Sequence, residues 1–164
     1  METTTNQTYP QVISPSSLLT HWQGHRRVTR RVIEAFPEDA FFNHTIGGMR
    51  PFSKMVMELI AIAEPGLKEI INGKPEVFDE EFKHDNTKAT FLKLWDEATE
   101  VINTYWKRIK IEQFQETVTL FGQYEGTIYS QILYFIDNEI HHRAQAYVYL
   151  RSLGIEPPLF YVRD

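Results

Sequence analysis

The sequence predicts an all-α protein, a four-helix bundle, and three observations support this class. Four long segments carry apolar residues at three- and four-residue steps, which is the periodicity of amphipathic helices. Neither a repeated strand pattern nor an internal repeat is present. The chain has 164 residues, 42% hydrophobic and 13% aromatic, enough for one domain with a sizeable core. We therefore expect a single bundle domain over residues 1–164.

The first helix is expected between two prolines. It begins at about Ser16 or Ser17, just after Pro15, and ends at about Phe36, where Pro37 stops it. A basic run, HRRVTRR, lies within this segment, and we interpret it as the solvated face of the helix. Its arginines are Arg26, Arg27, Arg30 and Arg31.

The second helix begins near Pro51 and ends around Asn72 and Gly73, with a kink expected at Pro65. A polar stretch, 74–86, separates it from the third helix. The third helix has the most regular seven-residue pattern in the chain, which places one seam against neighbouring helices. That seam consists of Phe91, Trp95, Ala98, Ile102, Tyr105 and Ile109.

The last helix follows a segment of different character. Residues 113–127 mix β-branched residues with glycines, and we interpret them as an irregular or partly extended connection. Thr127 is a suitable N-cap for the helix that follows. That helix extends to about Leu153, and Gly154 ends it.

Composition and charge exclude several classes of function. The formal net charge is -5, which disfavours nucleic-acid binding. The chain contains no cysteine, so disulfides, thiolate metal sites and cysteine nucleophiles are absent. No apolar run approaches the length of a membrane span, and the first ten residues do not resemble a secretory signal. We expect a cytoplasmic protein without a membrane or nucleic-acid partner.

Polar residues occupy the middle of the last helix. Glu139 and His142 continue the four-three spacing of the apolar residues, so both should point inward. Asn138 lies one turn before His142, and Gln145 lies beside the same seam. Burying such groups without partners costs roughly 1–3 kcal/mol each. The cluster is therefore either a satisfied core network or a binding site.

Two stretches of the sequence resemble the DinB/YfiT-like family of helical-bundle proteins. The ending HHRAQAYVYLRSLGIEPPLFY is similar to the family's terminal helix, and GGMRPFSKMVMELIAIAEPGL is similar to its second helix. The helix count and the positions of RPF and LRSLGIEPP agree as well, so the resemblance covers essentially the whole chain. It implies an up-down four-helix bundle, often dimeric, with an open pocket between the helices.

The resemblance also implies a metal site, from which this chain departs. Three histidines bind a divalent metal such as nickel or zinc in the family, and several relatives resemble transferases that use a low-molecular-weight thiol. The matching positions here are Ile62, Asn138 and His142, so one histidine is left. One strong nitrogen ligand is too few for tight zinc or nickel binding. We therefore expect the metal to be weakly bound or absent.

Three side chains are candidates to complete a mixed metal site with His142: Glu58, Glu139 and His25. The full candidate pocket consists of His25, Glu58, Asn138, Glu139, His142 and Gln145. Three functions remain open: a metal-dependent hydrolase or thiol-transferase-like enzyme, a metal-free protein that binds a small molecule, and a structural, stress-related bundle. In each case we expect a homodimer. For Arg50, at the start of the second helix, we expect a carboxylate partner.

Overall fold

A computed structural model describes residues 12–164, and it confirms the mostly helical bundle. Four long helices form the bundle: α1 (Pro15–Ala35), α3 (Phe52–Asn72), α4 (Lys88–Trp106) and α5 (Ile128–Ser152). A short helix that the sequence analysis did not predict, α2 (Glu38–Asn43), follows α1. Within the described residues, no helix is both long enough and apolar enough to cross a membrane.

Side-chain caps and a glycine define the helix ends. The Thr127 side chain accepts a hydrogen bond from the Ser130 amide, which confirms it as the N-cap of α5. Gly73 follows α3 in the left-handed conformation, with φ at 63°, a geometry that glycine adopts without strain. Pro65 lies inside α3, which continues beyond it to Asn72.

The helices bury two groups of apolar side chains, one towards each end of the bundle. α3 packs against α4 and α5, and α1 packs against α5 and α4. One group contains Trp22 and Phe135, and the other contains Phe52 and Trp95. All four of these aromatic side chains are at most 3% exposed. The polar residues of the candidate site lie on α3 and α5 between these groups.

The connection before α5 is a 3-10 helix (Ile111–Gln115) and an antiparallel hairpin of β1 (Thr117–Leu120) and β2 (Tyr124–Thr127). A partly extended segment was predicted here. The predicted seam of α4 extended too far, because α4 ends at Trp106 and leaves Ile109 in the following turn. The amide of Ile109 bonds to the carbonyl of Trp106, three residues back, and not to a helical partner.

Candidate functional site

The centre of the candidate site is Glu58 on α3, which faces α5. Its Oε1 atom accepts hydrogen bonds from Nδ2 of Asn138 and Nε2 of His142, each 3.1 Å away. The Nδ1 atom of His142 lies 2.9 Å from Oε1 of Gln145. These three α5 residues are spaced by four and three, so they share one helix face. We call Glu58, Asn138, His142 and Gln145 the α3–α5 cluster.

The second carboxylate oxygen of Glu58 is also occupied. It pairs with the guanidinium of Arg50, which lies 3.3 Å from a carboxylate oxygen of Glu80 as well. This confirms that Arg50 has a carboxylate partner. The hydrogen bond from His142, with further ones from Arg50 and Asn138, lowers the pKa of Glu58 to about 2 against the opposing effect of burial. Glu58 is therefore a fully partnered carboxylate at neutral pH.

Glu139 and His25 belong to a separate set of contacts between α1 and α5. The buried carboxylate of Glu139 accepts a hydrogen bond of 2.5 Å from Thr29, and Arg26 and Arg143 lie 3.9 and 3.7 Å from it. Arg143 also donates to Nδ1 of His25 over 2.8 Å. We call these five residues the α1–α5 network. The structure does not bring its members together with the α3–α5 cluster.

The contacts of His25 fix its tautomer. A guanidinium only donates hydrogen bonds, so Nδ1 of His25 accepts from Arg143 and Nε2 carries the hydrogen. That Nε2 lies 3.2 Å from Nε2 of His21. Burial, followed by the positive charge of Arg143, lowers the pKa of His25 to about 3. His25 is thus a neutral core histidine with both ring nitrogens engaged.

Arg26 is a buried arginine of α1. It is 2% exposed, lies over the ring of Trp95 at 3.9 Å and donates to the Trp95 carbonyl. The prediction that it belongs to a solvated face was wrong. The signal was available, since Trp22, Arg26, Thr29 and Ile33 follow the four-three-four spacing of a buried seam. The neighbouring arginines favoured the interpretation of this segment as a solvated face instead.

An open cavity of about 620 Å³ lies beside the α3–α5 cluster, between α3, α5 and the hairpin. Its size is within the range of small-molecule sites, roughly 300–1,000 Å³. The lining residues are Glu58, Ile62, Phe78, Glu80, Leu120, Phe121, Gln123, Tyr124, Glu125, Ser130, Gln131, Tyr134 and Phe135. Of the predicted pocket residues, Glu58 alone lines this cavity. The hairpin contributors were missed because the sequence gives no indication that this hairpin folds onto α3.

The fold and this cavity define a helical-bundle protein with a pocket between α3 and α5, and the comparisons give its family. The model of the DinB family matches residues 1–164, and the chain belongs to that family. A DinB-like protein from Bacillus subtilis has a similar structure, with a TM-score of 0.71 and 20% identity over 87% of this chain and 96% of that one. A DinB-like protein from Bacillus cereus gives 0.70 and 14% over 89% and 97%. No curated protein matches the sequence.

The residues present do not fit the three-histidine metal site that the family resemblance implies. Ile62 offers no donor atom, and the amide nitrogen of Asn138 is directed to Glu58. Both ring nitrogens of His142 have partners within the α3–α5 cluster. Across residues 12–164, no group of three or more His, Cys, Asp or Glu side chains is arranged to hold a metal ion. Glu139 and His25, the other candidate ligands, lie in the α1–α5 network.

Proposed function

We propose that this protein binds a small, largely apolar molecule in the cavity between α3, α5 and the hairpin, without a metal ion. The observation that carries the proposal is the cavity itself. It is large enough for a drug-sized ligand, and three of its buried lining residues are apolar: Ile62, Leu120 and Phe135. A few polar groups, Glu58 among them, stand beside this apolar surface.

Metal-independent binding is supported by the hydrogen-bond partners that the carboxylate of Glu58 already has within the protein. Glu58 would have to exchange Arg50, Asn138 and His142 for a metal ion. Ile62 occupies a position at which the family resemblance implies a histidine ligand, and its side chain is part of the apolar lining of the cavity. A metal-dependent thiol transferase needs an open coordination position on a firmly held ion. The contacts of Glu58 favour binding over that chemistry.

The test is binding of the apolar fluorophore N-phenyl-1-naphthylamine to protein treated with EDTA. We expect saturable fluorescence enhancement that added zinc or nickel leaves unchanged. Ser130→Trp places a large side chain at the cavity lining and should abolish the enhancement. Thr104→Trp, at an exposed position on α4, is the matched control and should bind like the wild type.

Two outcomes contradict the proposal. Equal enhancement in the wild type and Ser130→Trp would place the fluorophore elsewhere on the protein. Loss of binding on EDTA treatment, with recovery on adding nickel or zinc, would instead support the metal-dependent thiol-transferase-like enzyme. A cytoplasmic location, a stress-related role and a homodimer stay predictions.

A further inference from the structure

The charged side chains that line the cavity all have one sign. Glu58, Glu80 and Glu125 contribute carboxylates, and among the described residues no Lys, Arg or His contributes to the lining. Arg50 is not a lining residue, and its guanidinium pairs with two of these carboxylates, those of Glu58 and Glu80. One guanidinium against three carboxylates leaves the cavity with a net negative charge. A cavity of this kind concentrates cations and repels anions.

The walls of the same cavity are rich in aromatic rings, which attract cations independently of the carboxylates. A ring face carries partial negative charge and binds an ammonium group at up to about 6 Å from its centre. Phe78 and Phe121 lie 5.5 Å apart, with their planes tilted by 45°. The aromatic lining residues are Phe78, Phe121, Tyr124, Tyr134 and Phe135.

A buried amide adds a hydrogen-bond acceptor. Gln131 is 7% exposed and lines the cavity, and its Nε2 atom donates to the carbonyl of Tyr124 over 2.9 Å. That bond fixes the orientation of the amide. Within residues 12–164, no donor reaches its Oε1 atom. This oxygen is accessible from the cavity, so it can accept a hydrogen bond from a ligand that carries N–H or O–H groups.

The pKa of the Tyr134 hydroxyl indicates the electrostatic environment of the cavity, which Tyr134 lines. Its pKa is raised, first by burial and then by the charges of Glu58, Tyr124 and Glu80. These groups disfavour a further negative charge at Tyr134. The same surroundings would disfavour an anionic ligand and favour a cationic one.

We propose that the cavity is selective for an organic cation: an amine in its ammonium form, attached to an apolar body of aryl or alkyl character. The apolar body packs on Leu120 and Phe135, and the ammonium group lies among the aromatic rings and the carboxylates of Glu80 and Glu125. This proposal rests on the proposed function, because it assigns a ligand class to the same cavity.

The test compares three ligands that share one body and differ in charge: 4-phenylbutylamine, 4-phenylbutanol and 4-phenylbutyrate. Dissociation constants are measured by isothermal titration calorimetry at neutral pH. We expect the amine to bind about tenfold or more tightly than the alcohol and the carboxylate to bind most weakly. Raising the salt concentration should reduce the preference of the amine over the alcohol.

A double variant, Glu80→Gln with Glu125→Gln, removes two of the three carboxylates while keeping side-chain size. It should reduce the preference for the amine over the alcohol severalfold. Glu97→Gln, an exposed carboxylate on α4 outside the cavity, is the matched control and should keep the wild-type preference. Circular dichroism shows whether each variant is folded.

The outcomes separate the two proposals. Binding of N-phenyl-1-naphthylamine in the cavity, without preference for the amine over the alcohol, would overturn the cation proposal and leave the proposed function standing. A preference for the amine that the double variant retains would also overturn it, since the cation would then lie elsewhere. Failure of the naphthylamine and of all three phenylbutyl ligands to bind would overturn both proposals.

Discussion

Glu139 is a carboxylate held inside the bundle by two arginines. It is 2% exposed, and Arg26 and Arg143 approach it from α1 and from its own helix. Burial raises the pKa of Glu139 and lowers the pKa of Arg26 to about 10. Burial thus disfavours the charged form of each group, whereas the attraction between the two opposite charges favours it. The hydroxyl of Thr29 supplies a further hydrogen bond. Removing one member of such a group leaves the others without compensation.

We predict that Glu139→Leu lowers the free energy of unfolding by about 3–5 kcal/mol, the cost of leaving a buried charge without its partner. The measurement is equilibrium unfolding in urea. Glu97→Leu is the control, because Glu97 pairs with Lys93 at 3.7 Å on the exposed side of α4. It should cost no more than about 1 kcal/mol. Equal losses in the two variants would show that the network adds nothing to stability.

Ile62 and Asn138 occupy positions at which the family resemblance implies histidine ligands, and they lead to a second prediction at the residue scale. Ile62→His combined with Asn138→His should create tight zinc or nickel binding, because both positions lie near Glu58, as His142 does. Three imidazoles are a sufficient set for such an ion. Isothermal titration with zinc chloride compares the double variant with the wild type. Wild-type protein that keeps stoichiometric zinc through dialysis against a mild chelator would contradict this prediction.

At the scale of the elements, the Glu69 side chain connects both the hairpin and the 73–80 segment to α3. Glu69 is 8% exposed, and its carboxylate accepts hydrogen bonds from the amides of Phe121 and Glu76 at 3.1–3.2 Å. Phe121 adopts a positive φ of 52°, which is uncommon for an aromatic residue. Phe78 packs against it from the 73–80 segment. Glu69 thus holds two walls of the cavity in place.

We predict that Glu69→Ala loosens the hairpin while the helices stay folded. Native-state hydrogen exchange should show the amides of Phe121 and Glu76 losing about tenfold or more in protection, since hydrogen bonds to a charged group contribute about 1.5–3 kcal/mol. Glu64→Ala is the control, because Glu64 forms its ion pair with Lys68 on the same helix. Unchanged protection at Phe121 would refute the assigned role of Glu69.

The elements also show how far the sequence predicts the structure. Periodicity and caps predicted the four long helices to within a few residues, because these signals are local, as at Thr127. The family resemblance placed Glu58 and His142 in one candidate pocket, and the structure joins them by a hydrogen bond. The local spacing around Arg26 indicates its burial, but its partner Trp95 and the attachment of the hairpin by Glu69 involve residues 50 or more positions away. Local patterns contain no information on such partners, so the cavity walls were not predicted.

For the whole molecule, acid should reduce stability through His25. Its pKa is about 3 in the folded protein, against an ordinary value of 6.5. Between these values the unfolded chain binds a proton that the folded chain does not, so the free energy of unfolding falls as the pH falls. His25→Gln keeps an acceptor for Arg143 and removes this titration.

We predict that the unfolding free energy of His25→Gln depends less steeply on pH between 6.5 and 3 than that of the wild type. Urea titrations at several pH values provide the measurement, and His141→Gln, at an exposed position on α5, corrects for the loss of an imidazole. Glu58 adds a separate loss between about 4.5 and 2, because its folded pKa is depressed to about 2. Identical slopes for His25→Gln and the wild type would contradict the assignment.

The outer face of α5 is the surface on which we expect two copies of the chain to meet. Six exposed positions repeat along it at three- and four-residue steps: Tyr134, Asp137, His141, Ala144, Val148 and Arg151. Tyr134 and Val148, the two large apolar side chains of this stripe, are 52% and 53% exposed. A stripe with this spacing suits pairing with a second copy of the same helix about a two-fold axis.

Light scattering at micromolar concentration should therefore give twice the 19.3 kDa mass of one chain. A stable pair needs about 1,200 Å² or more of buried surface, so a charge in place of an apolar side chain of the stripe should disrupt it. Val148→Glu should shift the mass to that of a monomer, and Thr104→Glu, on the exposed side of α4, should not. A wild-type protein that is monomeric under these conditions would rule out the dimer. Because Tyr134 belongs to both surfaces, the pair would also cover part of the cavity rim.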